Sequence, residues 1–312
     1  VMDRGGFHAV SLEDTLALAR GFADAYARER FRDMDSQRLT YLFQRNNREL
    51  DMIVEELWKE LNAAAFQPVG FEVAFGKGGQ MPAIAIPNSA MPAILRGFVD
   101  RVDLWEDATG RFLRVTDYKT GQKKFDYCDI SQGIGLQMLL YLFALGHGGG
   151  ALFGEGLRPG GVEYFPARAP YLKADAPLDP AEAEEERVKA FSRSGLFLED
   201  RRVLGAMEPE GLGDRLPVVE KKDGSLTGSL ATSEQFRLLE GYVFHLLADM
   251  VSEIASGSVS PNPYSRGTAH DACRFCPYAP VCHPEKEAQR RNYRALKAQE
   301  FWEQVEKEET HG

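Results

Sequence analysis

The sequence lacks an apolar stretch long enough to cross a membrane, which takes roughly 18 to 20 residues. Its longest apolar run, residues 136–145, falls well short of that length. Residues 1–6 show neither the charged-then-apolar pattern of a secretory signal nor the composition of a transit peptide. We therefore expect a cytoplasmic protein without membrane association.

Cysteine is also scarce. The chain has four cysteines, and three of them, Cys273, Cys276 and Cys282, are clustered near its end. Disulfide-stapled secreted domains have scattered, paired cysteines instead. The cluster indicates ligation of zinc or of an iron–sulfur centre in a reducing compartment, and both need a fourth ligand. His270 and His283 are near enough in sequence to complete a zinc site.

Basic residues are outnumbered, with 37 Lys and Arg against 47 Asp and Glu and a formal net charge of -10. Because nucleic-acid binding usually leaves a basic footprint, the overall charge counts against it. Much of the acid lies in residues 175–186 and 303–309, however, and the local field steers a ligand into a cleft. The central segment carries a basic group, formed by Arg96, Arg101, Lys119, Lys123 and Lys124.

Hydrophobic periodicity predicts the order of the elements. Helical spacing predicts helices at residues 12–30, 37–65, 131–145, 180–193, 233–256 and 284–308. Extended patterns bounded by turn residues predict strands at 71–75, 94–105, 112–118 and 161–165, with a break at 67–70. We expect one domain over residues 1–312, made of N-terminal helices (1–66), a catalytic core (67–168), a polar insertion (169–230), a helix (231–268) and a cysteine-cluster segment with a helical tail (269–312).

Two acidic residues and a lysine fall on a predicted hairpin. Asp100 lies on its first strand, while Asp117 and Lys119 are two positions apart on the second and so leave the same face. Glu72, on the preceding strand, is a further candidate. Carboxylates about 4 Å apart repel by roughly 4 kcal/mol at an effective dielectric of about 20, so such a group needs a cation. A hard divalent ion, Mg²⁺ or Mn²⁺, suits oxygen ligands best.

Such an ion polarises a phosphodiester and activates water, and Lys119 beside it would orient that water or neutralise developing charge. The alternative is that these acids are solvated strand-end and turn residues and that Lys119 is their surface partner. The order of motifs favours a site. Gly-x-x-Asp at 97–100 is followed by a turn, by Asp-x-Lys at 117–119, and by a helix on which Gln137 and Tyr141 share one face.

This order of motifs resembles that of the PD-(D/E)xK nuclease superfamily, in its RecB-like branch and most closely in the AddB-type members. The matching segments span most of the chain. They are LRGFVDRVD (95–103), VTDYKTG (115–121), LQMLLYL (136–142), GVEYFPAR (161–168), GLFL (195–198), residues 206–207 and the cysteine cluster.

The resemblance implies an α/β, restriction-endonuclease-like fold, in which helices flank a central mixed sheet. It also implies roles for individual residues: metal ligation by Asp100, Asp117 and His8, catalysis by Lys119, an upstream acidic position at Glu72, and supporting positions facing DNA at Gln137 and Tyr141.

For the cysteine cluster, the resemblance implies a 4Fe-4S centre that joins the two ends of the domain. Its fourth ligand in that branch is a cysteine upstream of the first helix, which this chain does not contain. Cys128 is interpreted as a buried thiol instead. Whether the centre is present, incomplete or replaced by zinc stays open at this point.

The resemblance further implies a Mg-dependent DNA exonuclease domain of a helicase-nuclease complex, which processes double-strand breaks for recombinational repair. Its substrate would be single strands from the unwound duplex, and its partner the other subunit of the complex. Arg96, Arg101, Lys123 and Lys124 would contact phosphates without reading sequence. Two alternatives remain, a non-catalytic DNA-binding or docking module and a stand-alone restriction-type nuclease.

Overall fold

The computed structural model describes residues 1–30, 37–121, 123–168, 178–268, 270–282 and 290–311. Its α-helices are α1 (Leu12–Arg30), α2 (Gln37–Ala63), α3 (Tyr127–Ile130), α4 (Gln137–Gly148), α5 (Gly150–Phe153), α6 (Pro180–Ala190), α7 (Arg201–Met207), α8 (Ser233–Ala255), α9 (Ala279–Cys282) and α10 (Ala298–His311). Its strands are β1 (Gln67–Phe75), β2 (Ile84–Ala85), β3 (Ile94–Leu95), β4 (Gly97–Asp107), β5 (Gly110–Lys119), β6 (Leu157–Pro166), β7 (Ser194–Leu198), β8 (Val218–Glu220), β9 (Leu226–Gly228), β10 (Leu230–Ala231), β11 (Tyr264–Ser265) and β12 (Arg291–Asn292).

The chain divides into two compact units. The first contains Val1–Pro82, Arg96–Phe125 and Met138–Glu234, and the second contains Ala83–Leu95, Asp126–Gln137 and Gln235–Gly312. A six-stranded sheet of order β1-β4-β5-β6-β7-β10 forms the centre of the first unit. Two of its pairs, β5 with β6 and β7 with β10, are parallel, and the other three are antiparallel. The predicted α/β fold with a central mixed sheet and flanking helices is therefore confirmed.

The predicted hairpin is also confirmed, because β4 and β5 pair antiparallel around a tight turn. The next strand, β6, lies parallel to β5, and a parallel pair requires a long crossover connection. Helix α4 lies in that connection. It is apolar on most of its surface, and its residues Met138, Leu139, Leu142 and Phe143 are buried, as expected for a helix inside a core.

Strand β1 begins earlier than predicted. Residues 67–70, interpreted as a break, form its first half, with a register shift between Pro68 and Gly70. Since β1 is an edge strand, the missing amide of Pro68 removes no essential ladder hydrogen bond. The break signal therefore marks an irregularity inside an edge strand.

The segment predicted to be a polar insertion, residues 169–230, contains a strand of the central sheet. Strand β7, which the hydrophobic periodicity did not locate, pairs with β6. Gly195 makes this pairing possible, because a Cβ there would stand 1.9 Å from the carbonyl oxygen of Val162. Residues 169–177 lie outside the described residues, and α6 follows them, capped by Asp179 and Glu182.

The predicted helix over residues 131–145 starts later than expected. Helix α3 ends at Ile130 and α4 begins at Gln137. Between them Gly133 and Gly135 have φ of 74° and 70°, a left-handed conformation that a helix cannot contain. The two glycines explain the interruption.

The second unit is mainly helical, with α8 as its longest element. Of the predicted tail helix over residues 284–308, only α10 is helical in the described residues, and 283–289 lie outside them. Tyr127 packs on Phe301, and the Tyr242 hydroxyl accepts a hydrogen bond from Gln304. Among the helices that the structure describes, none has the length and apolar character needed to span a bilayer.

Candidate active site

The hairpin of β4 and β5 brings Asp100 and Asp117 together. Its paired residues end at Arg101 and Thr116, and Asp100 and Asp117 are the next residues beyond this pair, one on each strand. Beyond that point the amide of Tyr118 donates a hydrogen bond of 3.0 Å to Asp100 Oδ2. The carboxylate of Asp100 thus takes the place of a backbone acceptor, which fixes it beside the strand that carries Asp117.

Asp117 is buried next to a lysine. Its side chain is 2% exposed, and its Oδ2 lies 2.5 Å from Lys119 Nζ. Burial raises the pKa of Asp117 above its ordinary value, Lys119 opposes that shift, and the charge of Asp100 adds to it. Two carboxylates, those of Asp100 and Asp117, therefore lie beside one contacting ammonium group, that of Lys119.

This arrangement fits a hard divalent cation. Mg²⁺ is usually held by one or two carboxylates and keeps its other positions for water and substrate phosphate. In the part of the chain that the structure describes, no group of three or more His, Cys, Asp or Glu side chains is arranged around a common metal position. Asp100 and Asp117 are thus a two-carboxylate donor set, which suffices for such an ion.

Glu72 lies near this pair in register, on an irregular part of β1. Its neighbours Phe71 and Val73 pair with Arg101 and Val99, so Glu72 falls opposite Asp100. It is exposed and has φ of 47°, a strained value for a residue other than glycine. The regular alternation expected on this strand is interrupted there, because Phe71 is exposed while Val73 is buried.

The predicted supporting residues lie one turn apart on α4. Gln137 is its first residue, is exposed and belongs to the second unit. Tyr141 belongs to the first unit and contacts the ring of Phe75 edge-on, with ring centres 5.7 Å apart. The Tyr141 ring also approaches the backbone of Gly97, at the start of β4. Tyr141 is therefore packed against the strand that carries Asp100.

Three of the four predicted phosphate contacts are on the surface. Arg96, Lys123 and Lys124 are exposed, and Lys123 is close enough that its charge lowers the pKa of Asp117. The prediction that Arg101 contacts DNA is wrong. Arg101 is 0% exposed and donates to Asp103 and to the hydroxyl of Tyr118, both at 2.9 Å.

Arg101 instead belongs to a buried ion-pair network that the sequence analysis missed. Arg114 Nη2 lies 2.7 Å from Asp103 and 2.8 Å from Glu60, and Arg101 lies 3.4 Å from Glu60. Burial raises the pKa of Glu163, the network acid on β6. We call this set the buried network. Its members are Glu56, Glu60, Arg101, Asp103, Arg114, Glu163, Arg193 and Arg215.

His8 is not brought to the carboxylates. Its Nε2 lies 3.0 Å from the side-chain amide of Gln67, the first residue of β1. Gln67 pairs with Leu104, four residues along β4 from Asp100, which corresponds to about 13 Å at roughly 3.3 Å per residue. The structure therefore contradicts the predicted role of His8 as a ligand beside Asp100 and Asp117.

The cysteine cluster lies in the second unit and is not gathered into a ligand set. Asp271 accepts a hydrogen bond from the amide of Cys273, and Cys276 closes the following turn. Cys282 ends α9 and is exposed. Partial burial and the charge of Asp271 raise the pKa of the Cys273 thiol. The donors suit zinc or iron, but among the described residues no three-ligand arrangement is formed.

The other candidates for a fourth ligand are Cys128, His270 and His283. Cys128 is buried and its Sγ accepts a hydrogen bond of 2.8 Å from the amide of Leu296, so its interpretation as a buried thiol is confirmed. His270 Nδ1 lies 3.3 Å from the guanidinium of Arg266. His283 is outside the described residues.

A mixed sheet with two acids and a lysine at the end of its central hairpin is the arrangement that the resemblance to nucleases implies. The sequence profile of the PD-(D/E)XK nuclease superfamily matches residues 7–283 of this chain. The chain therefore belongs to the PD-(D/E)XK nuclease superfamily.

Similar proteins from several bacteria are all named as the same subunit of an ATP-dependent helicase/deoxyribonuclease. The one from Acetivibrio thermocellus is 35% identical over 283 residues, which is 88% of this chain and 24% of the relative. Those from Desulforudis audaxviator (35% identity, 86% and 24% coverage) and Bacillus thuringiensis (33% identity, 80% and 22% coverage) are comparably similar. The chain spans about a quarter of the length of these curated relatives.

Proposed function

We propose that this chain is a metal-dependent deoxyribonuclease that hydrolyses phosphodiester bonds of single-stranded DNA. The observation that carries the proposal is the meeting of Asp100, Asp117 and Lys119 at the end of the hairpin, where the pKa of buried Asp117 is raised. Membership of a nuclease superfamily and the deoxyribonuclease names of the relatives support the same reaction.

Each residue of the site has a distinct role in this proposal. Asp100 and Asp117 would hold the cation, Mg²⁺ or Mn²⁺, which when bound supplies Lewis-acid chemistry to the scissile phosphate. The amide of Tyr118 orients the Asp100 carboxylate before substrate arrives. Lys119, about one third exposed, reaches from the buried acid to solvent, where its ammonium group offsets charge that develops on the phosphate.

We further propose that the substrate is delivered by a motor. The relatives are named as subunits of a helicase/deoxyribonuclease, so a partner subunit that unwinds DNA would supply single strands during the processing of double-strand breaks for recombinational repair. Exposed Arg96, Lys123 and Lys124 would hold the strand by its phosphates, without preference for sequence. Glu72, Gln137 and Tyr141 are proposed as supporting residues around the site.

The proposal is tested by cleavage of an end-labelled single strand in the presence of Mg²⁺, Mn²⁺ or EDTA. We expect Asp117→Asn and Lys119→Met to lower the rate at least about 100- to 1000-fold, the cost of removing one preorganised electrostatic group. Asp107→Asn is the matched control, because Asp107 lies on the same hairpin but bonds Thr109 in the turn. Cleavage by Asp117→Asn at the parent rate would overturn the proposal.

The excess of acidic over basic residues favours a second candidate, a docking module that holds DNA without cutting it. Folded parent protein that binds the labelled strand but leaves it uncut in both metals would support this candidate. The same strand is then incubated with the chain and the purified partner subunit. Cleavage that appears only in the assembly, and that Asp117→Asn abolishes, would place turnover in the complex.

A further inference from the structure

Phe98, two residues before Asp100 on β4, is an aromatic residue exposed to solvent. Its side chain is 60% exposed, whereas the following residue, Val99, is 0% exposed. Alternation along a strand places Phe98 and Asp100 on the same face, about 7 Å apart at roughly 3.3 Å per residue. An exposed aromatic ring thus stands next to the proposed catalytic carboxylates.

The neighbours of Phe98 favour nucleic acid over an apolar partner. Arg96, two residues earlier, is exposed, and so are Lys123 and Lys124 after β5. Arg96 thus lies just before β4, and Phe98 and Asp100 follow on the strand itself, two residues apart. A cation for the phosphate, a ring for the base and a carboxylate for the metal are the groups that one nucleotide of an unpaired strand would contact.

We propose that Phe98 is the stacking platform for the nucleobase adjacent to the scissile phosphate. This inference rests on the proposed function and adds the basis of substrate choice. Every base has a π-face, so stacking holds the strand without reading its sequence. A base inside a duplex has its faces covered by its neighbours, so Phe98 selects unpaired strands over paired ones.

The experiment measures binding separately from cleavage. In the Lys119→Met background, a single-stranded oligonucleotide carrying 2-aminopurine is titrated with protein, and stacking on the ring quenches its fluorescence. We expect Phe98→Ala and Phe98→Leu to lose the quenching and to weaken single-strand affinity about 5- to 150-fold. Phe98→Trp should retain both the quenching and the affinity, because it keeps an aromatic ring for stacking. Phe98→Leu keeps only an apolar side chain, so it separates stacking from general hydrophobic contact.

The controls distinguish the possible failures. Phe22→Ala removes an aromatic side chain that is 75% exposed on α1 and should change neither affinity nor quenching. Urea midpoints within error of the parent show that each variant folds. Quenching that persists in Phe98→Ala, or an equal loss of affinity for duplex, would overturn the inference, even where cleavage still requires Asp117. Cleavage independent of Asp117 would overturn the proposed function instead.

Discussion

Replacing Glu60 by glutamine tests the buried network directly, because it removes one charge and preserves the shape of the side chain. Glu60 Oε1 lies 2.8 Å from Arg114 and 3.4 Å from Arg101, and Oε2 pairs with Arg193. The network contains four acids and four arginines. The variant therefore leaves one buried arginine without a formal counter-charge.

The expected loss of stability is large. Removing one partner of a buried ion pair costs about 3–5 kcal/mol, and a urea slope of about 3 kcal/mol per molar converts this to a lower midpoint by about 1–1.7 M. The control is Glu55→Gln on the same helix, where Glu55 is partly exposed and pairs with Lys59 and Arg187. Exposed pairs contribute about 0–1 kcal/mol, or less than about 0.3 M.

The direction of the Glu60 pKa shift determines how the stability difference between parent and Glu60→Gln depends on pH. Burial alone would raise the pKa of Glu60, but the charges of Arg193, Arg114 and Arg101 lower it well below its ordinary value. A carboxylate with a depressed pKa stabilises the fold above the pKa of the unfolded chain, about 4.3 for glutamate, and loses this contribution as the pH falls below it. The difference in unfolding free energy between parent and Glu60→Gln should therefore be the same at neutral pH and at a mildly acidic pH above about 4.3, and should shrink only below that pH.

The assay is urea unfolding followed by circular dichroism, with parent, Glu60→Gln and Glu55→Gln compared at both pH values. Equal midpoints for the two variants would refute the reasoning, since they would show that the charge of Glu60 contributes no more than that of a surface carboxylate. A variant more stable than the parent would refute it equally, because the desolvation of Glu60 would then outweigh its three arginines.

Further outcomes follow from the placement of other residues. His8→Ala should leave the cleavage rate within about twofold, since His8 bonds Gln67; a loss as large as that of Asp117→Asn would show that it ligates the metal. The double variant Lys123→Ala, Lys124→Ala should reduce the salt dependence of single-strand binding by about 1.4 in the slope of log affinity against log salt, and an unchanged slope would exclude both as phosphate contacts. Gly195→Ala should prevent stable folding, because its Cβ would meet the Val162 carbonyl at 1.9 Å; a parent-like urea midpoint would contradict this. For the cysteine cluster, iron with inorganic sulfide and a visible absorbance band, all lost in Cys276→Ser, would indicate the 4Fe-4S centre, whereas zinc without sulfide would show that a zinc site replaces it.

The parts of the site that the sequence predicts are those set by local rules. Asp117 and Lys119 share a face because strand side chains alternate, and a two-residue turn joins their strand to that of Asp100. The predictions for His8 and Arg101 fail for a different reason. Their partners, Gln67 for one and Glu60 and Glu163 for the other, come from distant segments, and no periodicity within a segment specifies which segments meet.

Alternation along β4 does not by itself decide whether Arg101 lies at the surface or in the interior. Arg101 and Asp103 occupy the positions of β4 that alternate with Asp100, and their burial pattern is that of core residues. A charged residue in such a position signals either a solvent face or a paired interior, and only the partners on other elements decide between them. Arg114, across the hairpin from Asp103, is the one signal in the sequence that favours a paired interior.

The hairpin therefore carries charge on both faces for different purposes. Asp100 and Asp117 face the proposed metal position, while Arg101 and Arg114 point into the buried network. Arg101 also donates to the hydroxyl of Tyr118, whose amide donates to Asp100, so a side chain of the network is bonded to the residue that orients this proposed metal ligand. Because strand side chains alternate with a period of two, a slip of one residue would exchange the two faces. It would move Asp100 and Asp117 to the face of the network and turn Arg101 and Arg114 away from their acidic partners. We therefore expect the buried network to favour the register on which the geometry of the proposed site depends.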